Sequence, residues 1–219
     1  MTTREQLNSK LGNAPENLVS HFETGHFLSR PESRIHCMPL PQALEYTSHV
    51  LALPIGDHFG LFALHDGQDS NPHCYVSRGP CSGSIFHLMH DGDCRITHRS
   101  LESFLTALNA LSDHESIDDL KEDTDLFFDT IPTIQGLLSR DEDIDILLPV
   151  YLPVTKSIPG DLKHQLATSR DFYVREAIAS WLNLRGTRED LPLAELLAAD
   201  NYGQVARPAK LAVSRLQQL

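Results

Sequence analysis

The chain has 219 residues, of which 41% are hydrophobic and 22% are charged, and its formal net charge is −12. This apolar content suffices for one large or two small folded domains and excludes a chain that is disordered throughout. Residues 1–17 lack the apolar stretch of a secretory signal, and the longest apolar run, 146–154, is shorter than the roughly 20 residues of a membrane span. We therefore expect a soluble cytoplasmic protein without a membrane partner, whose four cysteines are reduced.

Short strands followed by a helix are predicted for residues 1–112. The candidate strands are 50–54, 59–64, 74–76, 84–89 and 94–97, and the turns between them contain Gly, Asp and Pro. At 100–111 the apolar residues recur at the spacing of one helical face, and Ser100 with Ser103 offers N-cap chemistry. This order predicts an α+β fold, with an antiparallel sheet and a packed helix in a domain at 1–112.

An acidic segment follows at 113–145, where the net charge is −10. Such a segment repels phosphates, so we expect no nucleic-acid partner, but it would attract a protein with a basic surface. We expect a helical connector with Asp118, Glu122 and Asp125 on one face. The candidate partner-binding residues are Asp118, Asp119, Glu122, Asp123, Asp125, Asp129, Asp141, Glu142 and Asp143. The alternative is a solvated linker between domains.

Residues 146–219 show a helical period and an internal repeat of 31 residues. Leu162, Leu166, Ala167, Val174 and Ile178 recur as Leu193, Leu197, Ala198, Val205 and Ala209. Each copy predicts a helix, a short polar turn and a second helix, and such pairs stack on one another in an α-solenoid. An irregular helical domain with accidental spacing is the alternative.

Four motifs in the N-terminal half resemble the SUKH superfamily, whose bacterial members are mostly immunity proteins of toxin systems. They are LPIG at 53–56, GLFAL at 60–64, IFHLMHD at 85–91 and SLESFL at 100–105. Their order and spacing agree with the family pattern, with Met38-Pro39-Leu40-Pro41 as a candidate for its upstream entry. The resemblance implies a SUKH-like α+β domain that docks a protein partner.

Residues 161–216 resemble the short bacterial type of HEAT-like repeat. The matching elements are LA at 166–167 before VREAIA at 174–179, and LA at 197–198 before VAR at 205–207. The resemblance implies that the valines pack inside, that the arginines bond neighbouring turns, and that the surface docks proteins.

Catalytic and metal-binding motifs give weaker signals. His87 and His90 could hold a metal together with the His-Asp-Gly turns, yet strand positions three apart face opposite sides. The cysteine spacings do not form a zinc knuckle, and the Asp141, Asp143 and Asp145 triplet lacks the Gly and Glu of a calcium loop. No nucleophile elbow or phosphate-binding loop is present in the sequence. We expect no catalytic site, no metal and no cofactor.

Both resemblances indicate protein binding. We expect an immunity protein that occludes a toxin of a secretion or contact-dependent system, and a nuclease, whose substrate groove must be cationic, would suit the acidic segment best. The alternative is a non-catalytic regulatory scaffold that assembles protein partners on the HEAT-like surface. A third hypothesis is an enzyme with a metal site formed by His and Asp side chains, which would require bound metal.

Overall fold

The computed structural model describes residues 1–25, 27–90, 93–140 and 143–219 and divides into two compact units. Unit 1 is Met1–Leu126 and unit 2 is Phe127–Leu219. The chain combines helices with two small antiparallel sheets, which confirms the α+β class. The boundary differs from the expected one: residues 113–145 are divided between the two units rather than forming a connector of their own.

Unit 1 contains both sheets. Its elements are α1 (Thr3–Leu11), α2 (Glu16–Thr24), β1 (Ser29–Arg30), β2 (Ile35–His36), α3 (Leu40–Val50), α4 (Pro54–Phe59), β3 (Leu61–His65), β4 (His73–Val76), β5 (Ile85–His87), β6 (Arg95–His98) and α5 (Leu101–Ala110). Strands β1 and β2 form one sheet, and the other has the order β3-β4-β5-β6. The four predicted strands within 59–97 and the predicted helix at 100–111 are therefore confirmed, with small shifts at their ends.

Local chemistry explains the beginning of α5. The Ser100 hydroxyl accepts a hydrogen bond from the Ser103 backbone N–H, and the Ser103 hydroxyl accepts one from the Ser100 N–H. These reciprocal bonds satisfy two donors at the helix start. Leu101, Phe104 and Leu108 are the buried residues of this helix, as its apolar period predicts.

The strand predicted at 50–54 is wrong. Val50 ends α3, whose buried positions Ala43, Thr47 and Val50 follow a helical spacing, and Pro54 begins α4. A proline fits the first turn of a helix because its missing N–H would have no intrahelical partner there. The LPIG motif at 53–56 is thus the start of a helix, and Leu53 is 45% exposed.

Gly56 packs directly against the end of α3, and a substitution there tests this contact. A methyl group on Gly56 would lie 1.9 Å from the Val50 carbonyl oxygen, so we expect Gly56→Ala to destabilise unit 1 by about 1–3 kcal/mol. The matched control is Gly160→Ala in unit 2, where a methyl group would meet nothing within 4 Å. Thermal unfolding by circular dichroism measures both, and equal melting temperatures in the two variants would contradict this packing.

The helical face predicted for 118–125 is also wrong. Within the part of unit 1 that follows α5, the only described helical turn is a short 3₁₀ turn at Ile117–Asp119. We call residues 113–126 the acidic strap. It follows the edge strand β6: the Asp123 N–H donates to the Thr97 carbonyl at 2.9 Å, and the Lys121 carbonyl lies 3.1 Å from His98 Nε2. These bonds to the sheet replace the intrahelical bonds that a helix would need.

Unit 2 is helical in its described residues. Its helices are α6 (Ile131–Arg140), α7 (Ile144–Tyr151), α8 (Gly160–Ala167), α9 (Phe172–Arg185), α10 (Leu191–Ala198) and α11 (Gly203–Leu216). Each copy of the repeat therefore contains two helices at the predicted positions, α8 with α9 and α10 with α11, while their assignment as HEAT-like repeats stays a prediction. Among the described residues, no helix has both the length and the apolar composition that crossing a membrane requires.

Polar side chains bond the turns of unit 2 to one another. Arg175 donates to the Ser169 carbonyl at 2.7 Å and, through Nε, to Asp200 Oδ2 at 2.6 Å, so it links the turns of the two repeat copies. Trp181 is buried, and its indole N–H donates to the Thr155 carbonyl at 3.0 Å. Donors that are buried or mostly buried need a partner, and both side chains have one.

Candidate functional site

A row of three histidines crosses the larger sheet in unit 1. His65 pairs with His73 and His73 pairs with His87 in the register of β3, β4 and β5, so their side chains share one face. A register shift between Ala63 and His65 brings His65 opposite His73. The His65 and His73 ring centroids are 5.4 Å apart, and those of His73 and His87 are stacked at 4.1 Å. We call these three residues the histidine row.

A cavity of about 180 Å³ lies against the histidine row. Its wall combines the row with the β3–β4 loop, the ends of β5 and β6, and the acidic strap. The lining residues are His65, Gly67, Asp69, Asn71, His73, His87, Met89, Arg95, Ile117, Asp118, Leu120 and Glu122. The strap thus places two apolar side chains, Ile117 and Leu120, together with carboxylates, in the wall of this cavity.

Three carboxylates in the cavity wall form ion pairs with two arginines, one of which, Arg34, is shared. Arg34 forms ion pairs with Asp69, at 3.2 Å, and with Asp118. Arg95 Nε donates to Glu122 Oε1 at 2.8 Å. These side chains are partly exposed, so each pair contributes under about 1 kcal/mol, but together the pairs fix the strap beside the sheet. The carboxylates of the wall are therefore already matched by arginines.

The histidine row presents unpartnered nitrogen atoms. Within the described residues, the ring nitrogens of His65 and Nδ1 of His73 are buried and make no hydrogen bond of good geometry, although the Arg34 backbone carbonyl lies near the His65 ring. A neutral imidazole carries one donor and one acceptor, and leaving them unpaired in the interior costs free energy. These nitrogen atoms are almost inaccessible to solvent, so they lie in the interior of unit 1 and not on the exposed surface of the cavity.

Burial keeps the histidine row uncharged at neutral pH. Burial lowers the pKa of His65 to about 4, opposed by the nearby Arg34 backbone carbonyl. The pKa of His73 is well below its usual value, first because of burial and then because His87 is adjacent. The pKa of His87 is lowered by burial and then by the Arg95 guanidinium. The histidine row therefore adds no cationic charge to the cavity wall.

The cluster does not have the geometry of a metal centre or of a thiol nucleophile. Within the described residues, no group of three or more His, Cys, Asp or Glu side chains could hold a metal ion. Burial raises the pKa of the Cys37 thiol to about 11 and that of Cys81 to about 12, so both are protonated at neutral pH. The histidine row is suited to hydrogen bonding.

Four of the predicted partner-binding residues form ion pairs or hydrogen bonds within unit 1. Asp118 pairs with Arg34 and Glu122 with Arg95, as described above, while Asp119 Oδ2 accepts from the Ser116 N–H at 2.9 Å. Asp123 Oδ2 accepts from the Arg99 N–H at 2.7 Å and from the Ser103 hydroxyl at 2.9 Å. The predicted common face does not form, because these carboxylates bond to unit 1 and the helix that would align them is absent.

The remaining predicted residues differ from that group. Asp125, Asp129 and Asp143 are exposed, and no ion pair is found for their side chains in the described parts of the chain. Asp125 belongs to unit 1 and the other two belong to unit 2. Asp141 and Glu142 lie outside the described residues. The carboxylates that are available to a partner are therefore fewer than the sequence suggests.

Asp123 is expected to stabilise unit 1, because it accepts two hydrogen bonds at the junction of β6 and α5. Asp123→Ala leaves both donors without this partner, so we expect a loss of about 1–3 kcal/mol. Asp125→Asn is the control, because it removes an exposed charge without an ion pair and keeps a side chain that tolerates the left-handed backbone at this position. Urea unfolding followed by circular dichroism gives both values, and equal stability of the two variants would show that the Asp123 bonds are unimportant.

Comparison of the chain with protein-family models, with curated proteins and with solved structures gave no match. The resemblances to the SUKH superfamily and to HEAT-like repeats therefore remain proposals.

Proposed function

We propose that the protein is a non-enzymatic cytoplasmic immunity protein that binds and neutralises a toxin of a secretion or contact-dependent system. The support from sequence is the resemblance of four motifs within 53–105 to the SUKH superfamily and of 161–216 to HEAT-like repeats. The observed sheet followed by α5, and the paired helices of unit 2, are compatible with both. The partner would be a protein with a basic surface.

The observation that carries this proposal is the set of exposed carboxylates that the fold leaves unpaired. Asp125, Asp129 and Asp143 have no ion pair among the described residues, in a chain whose net charge is −12. Unpaired surface charge of one sign raises the association rate of an oppositely charged partner, and added salt weakens this effect. A toxin that binds nucleic acid would carry the required basic surface.

Exposed apolar side chains in unit 2 favour protein contacts of either kind, with a toxin or within a regulatory scaffold. Tyr173 is 48% exposed and Tyr202 is 49% exposed, at the beginnings of α9 and α11. Tyr202 also stacks on Phe172 with ring centroids 4.7 Å apart, which holds its ring in place. Rigid aromatic rings are common at the centre of protein interfaces.

The direct test is to purify the protein with its partner from the native cell and to identify that partner by mass spectrometry. The partner is then expressed in a heterologous host, alone and together with this protein. We expect growth arrest with the partner alone and normal growth with both. A partner that is harmless when expressed alone would refute the immunity function and leave the scaffold.

Charge reversal then tests the role of the unpaired carboxylates. We expect the triple variant Asp125→Lys, Asp129→Lys, Asp143→Lys to slow association with the purified partner by about tenfold or more at low salt. The control variant Glu23→Lys, Glu45→Lys, Glu195→Lys changes the net charge equally at three other exposed positions. Equal association rates for the two triple variants would show that the three aspartates have no special role.

A further inference from the structure

We propose that the middle of the acidic strap, residues 118–125, is a detachable cover of the sheet edge at β6, and that an extended acidic segment of a partner protein binds there in its place. The proposal is independent of the immunity function. It rests on the polar contacts between the strap and β6, and on the strap itself, which shows what kind of segment this edge accepts.

The middle of the strap is attached to β6 mainly by polar bonds. Within the described residues, one main-chain hydrogen bond joins them, from the Asp123 N–H to the Thr97 carbonyl at 2.9 Å. The ion pair of Glu122 with Arg95 adds to it, and the side chains of this pair are 39% and 40% exposed. Contacts of this kind bury little apolar surface, and apolar burial is the dominant favourable contribution to folding.

The apolar anchors of the strap lie at the two ends of its middle. Ile117 and Leu126 are buried, whereas every residue from 118 to 125 is exposed or half-buried. Segments with few buried apolar contacts open at a lower free energy than the core. We therefore expect the middle of the strap to leave the sheet while Ile117 and Leu126 stay in place.

The opposite edge of the sheet, at β3, is covered in a different way. The Met38 N–H donates to the Leu64 carbonyl at 2.8 Å, and the Ala63 N–H donates to the Thr47 hydroxyl at 3.0 Å. Met38, Ala63 and Thr47 are fully buried, so this cover belongs to the core of unit 1. Because a free strand edge is a template for a further strand, β6 is the edge at which a partner can add one.

The charge of the partner segment follows from the arginines beside β6. When the middle of the strap detaches, Arg95 loses its ion pair with Glu122. Arg34 loses its pair with Asp118, and Arg99 loses the strap carbonyl to which its side chain donates. The uncovered edge thus combines strand backbone with cationic side chains. An extended acidic segment satisfies both, whereas a basic segment is repelled.

The strap competes with such a segment because it is tethered to the fold. A segment on a short tether acts at an effective concentration of roughly 1 mM, so a free peptide at micromolar concentration binds the wild type weakly. Asp118→Asn together with Glu122→Gln removes both ion pairs of the strap and leaves the arginines available. The side chains of Asp118 and Glu122 are 71% and 39% exposed, so we expect this double variant to fold.

The test is the binding of a fluorescently labelled peptide DDLKEDTD, the sequence of residues 118–125, to the full chain, measured by fluorescence polarisation. We expect the double variant Asp118→Asn, Glu122→Gln to bind it at least tenfold more tightly than the wild type. The matched control, Glu23→Gln with Glu45→Gln, removes two charges at other exposed positions of unit 1 and should bind like the wild type. A peptide in which every acid is replaced by its amide should bind the double variant at least tenfold more weakly.

Two further measurements locate the binding. Hydrogen exchange of the Asp123 amide is expected to be at least tenfold faster in the double variant than in the wild type, with unchanged exchange of the amides of β4 and β5. On the double-variant background, Arg95→Gln should weaken peptide binding at least tenfold. Arg78→Gln, which removes an arginine that pairs with Asp57, is the control and should leave binding unchanged.

If the double variant fails to fold, Asp118→Asn alone, at the more exposed of the two positions, replaces it with the same expectations. The proposal is overturned if the folded variant binds the acidic peptide no more tightly than the wild type does. Equal binding of the acidic and the amide peptides overturns it as well. So does an Asp123 amide that exchanges at the same rate in the variant and in the wild type, because the strap would then be a fixed part of the sheet.

Discussion

Acidification is expected to destabilise unit 1 strongly. The pKa values of His65, His73, His87 and His98 are all lowered, in each case mainly by burial. In the unfolded chain these side chains titrate near pH 6.5, so below that pH the unfolded state binds more protons than the folded state. The stability of unit 1 is therefore complete above about pH 6.5 and falls as the pH decreases toward the folded pKa values.

The size of the effect can be stated for His65. Its folded pKa of about 4 lies roughly 2.5 units below the unfolded value, so by about pH 4 this one side chain removes on the order of 3 kcal/mol from the free energy of unfolding. Small domains have a total stability of about 5–15 kcal/mol. The three other histidines act in the same direction, so unit 1 is expected to unfold in mild acid.

The measurement is urea unfolding by circular dichroism at a series of pH values between neutral and mildly acidic. His65→Gln removes one titrating group, so its stability should depend less steeply on pH than that of the wild type. The exposed His49→Gln is the control and should keep the wild-type profile. A wild-type stability that is constant over this range would mean that these rings take up protons as readily in the folded protein as in the unfolded chain.

A charge placed at the equivalent repeat positions Val174 and Val205 is expected to unfold unit 2. Both side chains are buried, with exposures of 1% and 0%. Val174→Asp or Val205→Asp must bury a carboxylate without a partner or keep it protonated, so we expect each to cost about 3–5 kcal/mol. Such a loss is comparable with the whole stability of a small domain.

The control for these variants is Gln204→Asp, which introduces the same side chain at the exposed neighbour of Val205 in the first turn of α11. An acid in this turn is compatible with the helix dipole, so wild-type stability is expected. Calorimetry of the full chain compares the three variants. Equal melting of Val205→Asp and Gln204→Asp would show that the 31-residue repeat does not identify the buried positions of unit 2.

Local patterns in the sequence predict most of the regular elements. Strands β3 to β6 are bounded by turn residues, and α5 and α8 to α11 have an apolar period long enough to be recognised. The run 50–54 is too short for its period to distinguish a strand from the end of a helix, and the proline at 54 favours a helix start. Apolar content alone therefore predicts a strand at 50–54, whereas the proline indicates the start of a helix.

The candidate site could not be predicted in the same way. The histidine row exists because the register of three strands aligns His65, His73 and His87, and pairing register is a long-range property that spacing along the chain does not contain. For the acidic strap, the sequence shows the charged residues but not the contacts that they make. Its charge is evident in the sequence, but the arginines that pair with Asp118 and Glu122 come from 84 and 27 residues earlier in the chain.

The position of Trp181 determines which part of the molecule its fluorescence reports. It is the only tryptophan of the chain, and it is buried in unit 2. Its emission therefore follows the local environment of unit 2, whereas the histidine row and the acidic strap lie in unit 1 without an intrinsic tryptophan probe. A second tryptophan, introduced in unit 1 on a Trp181→Phe background, would make the acid transition of that unit visible by fluorescence.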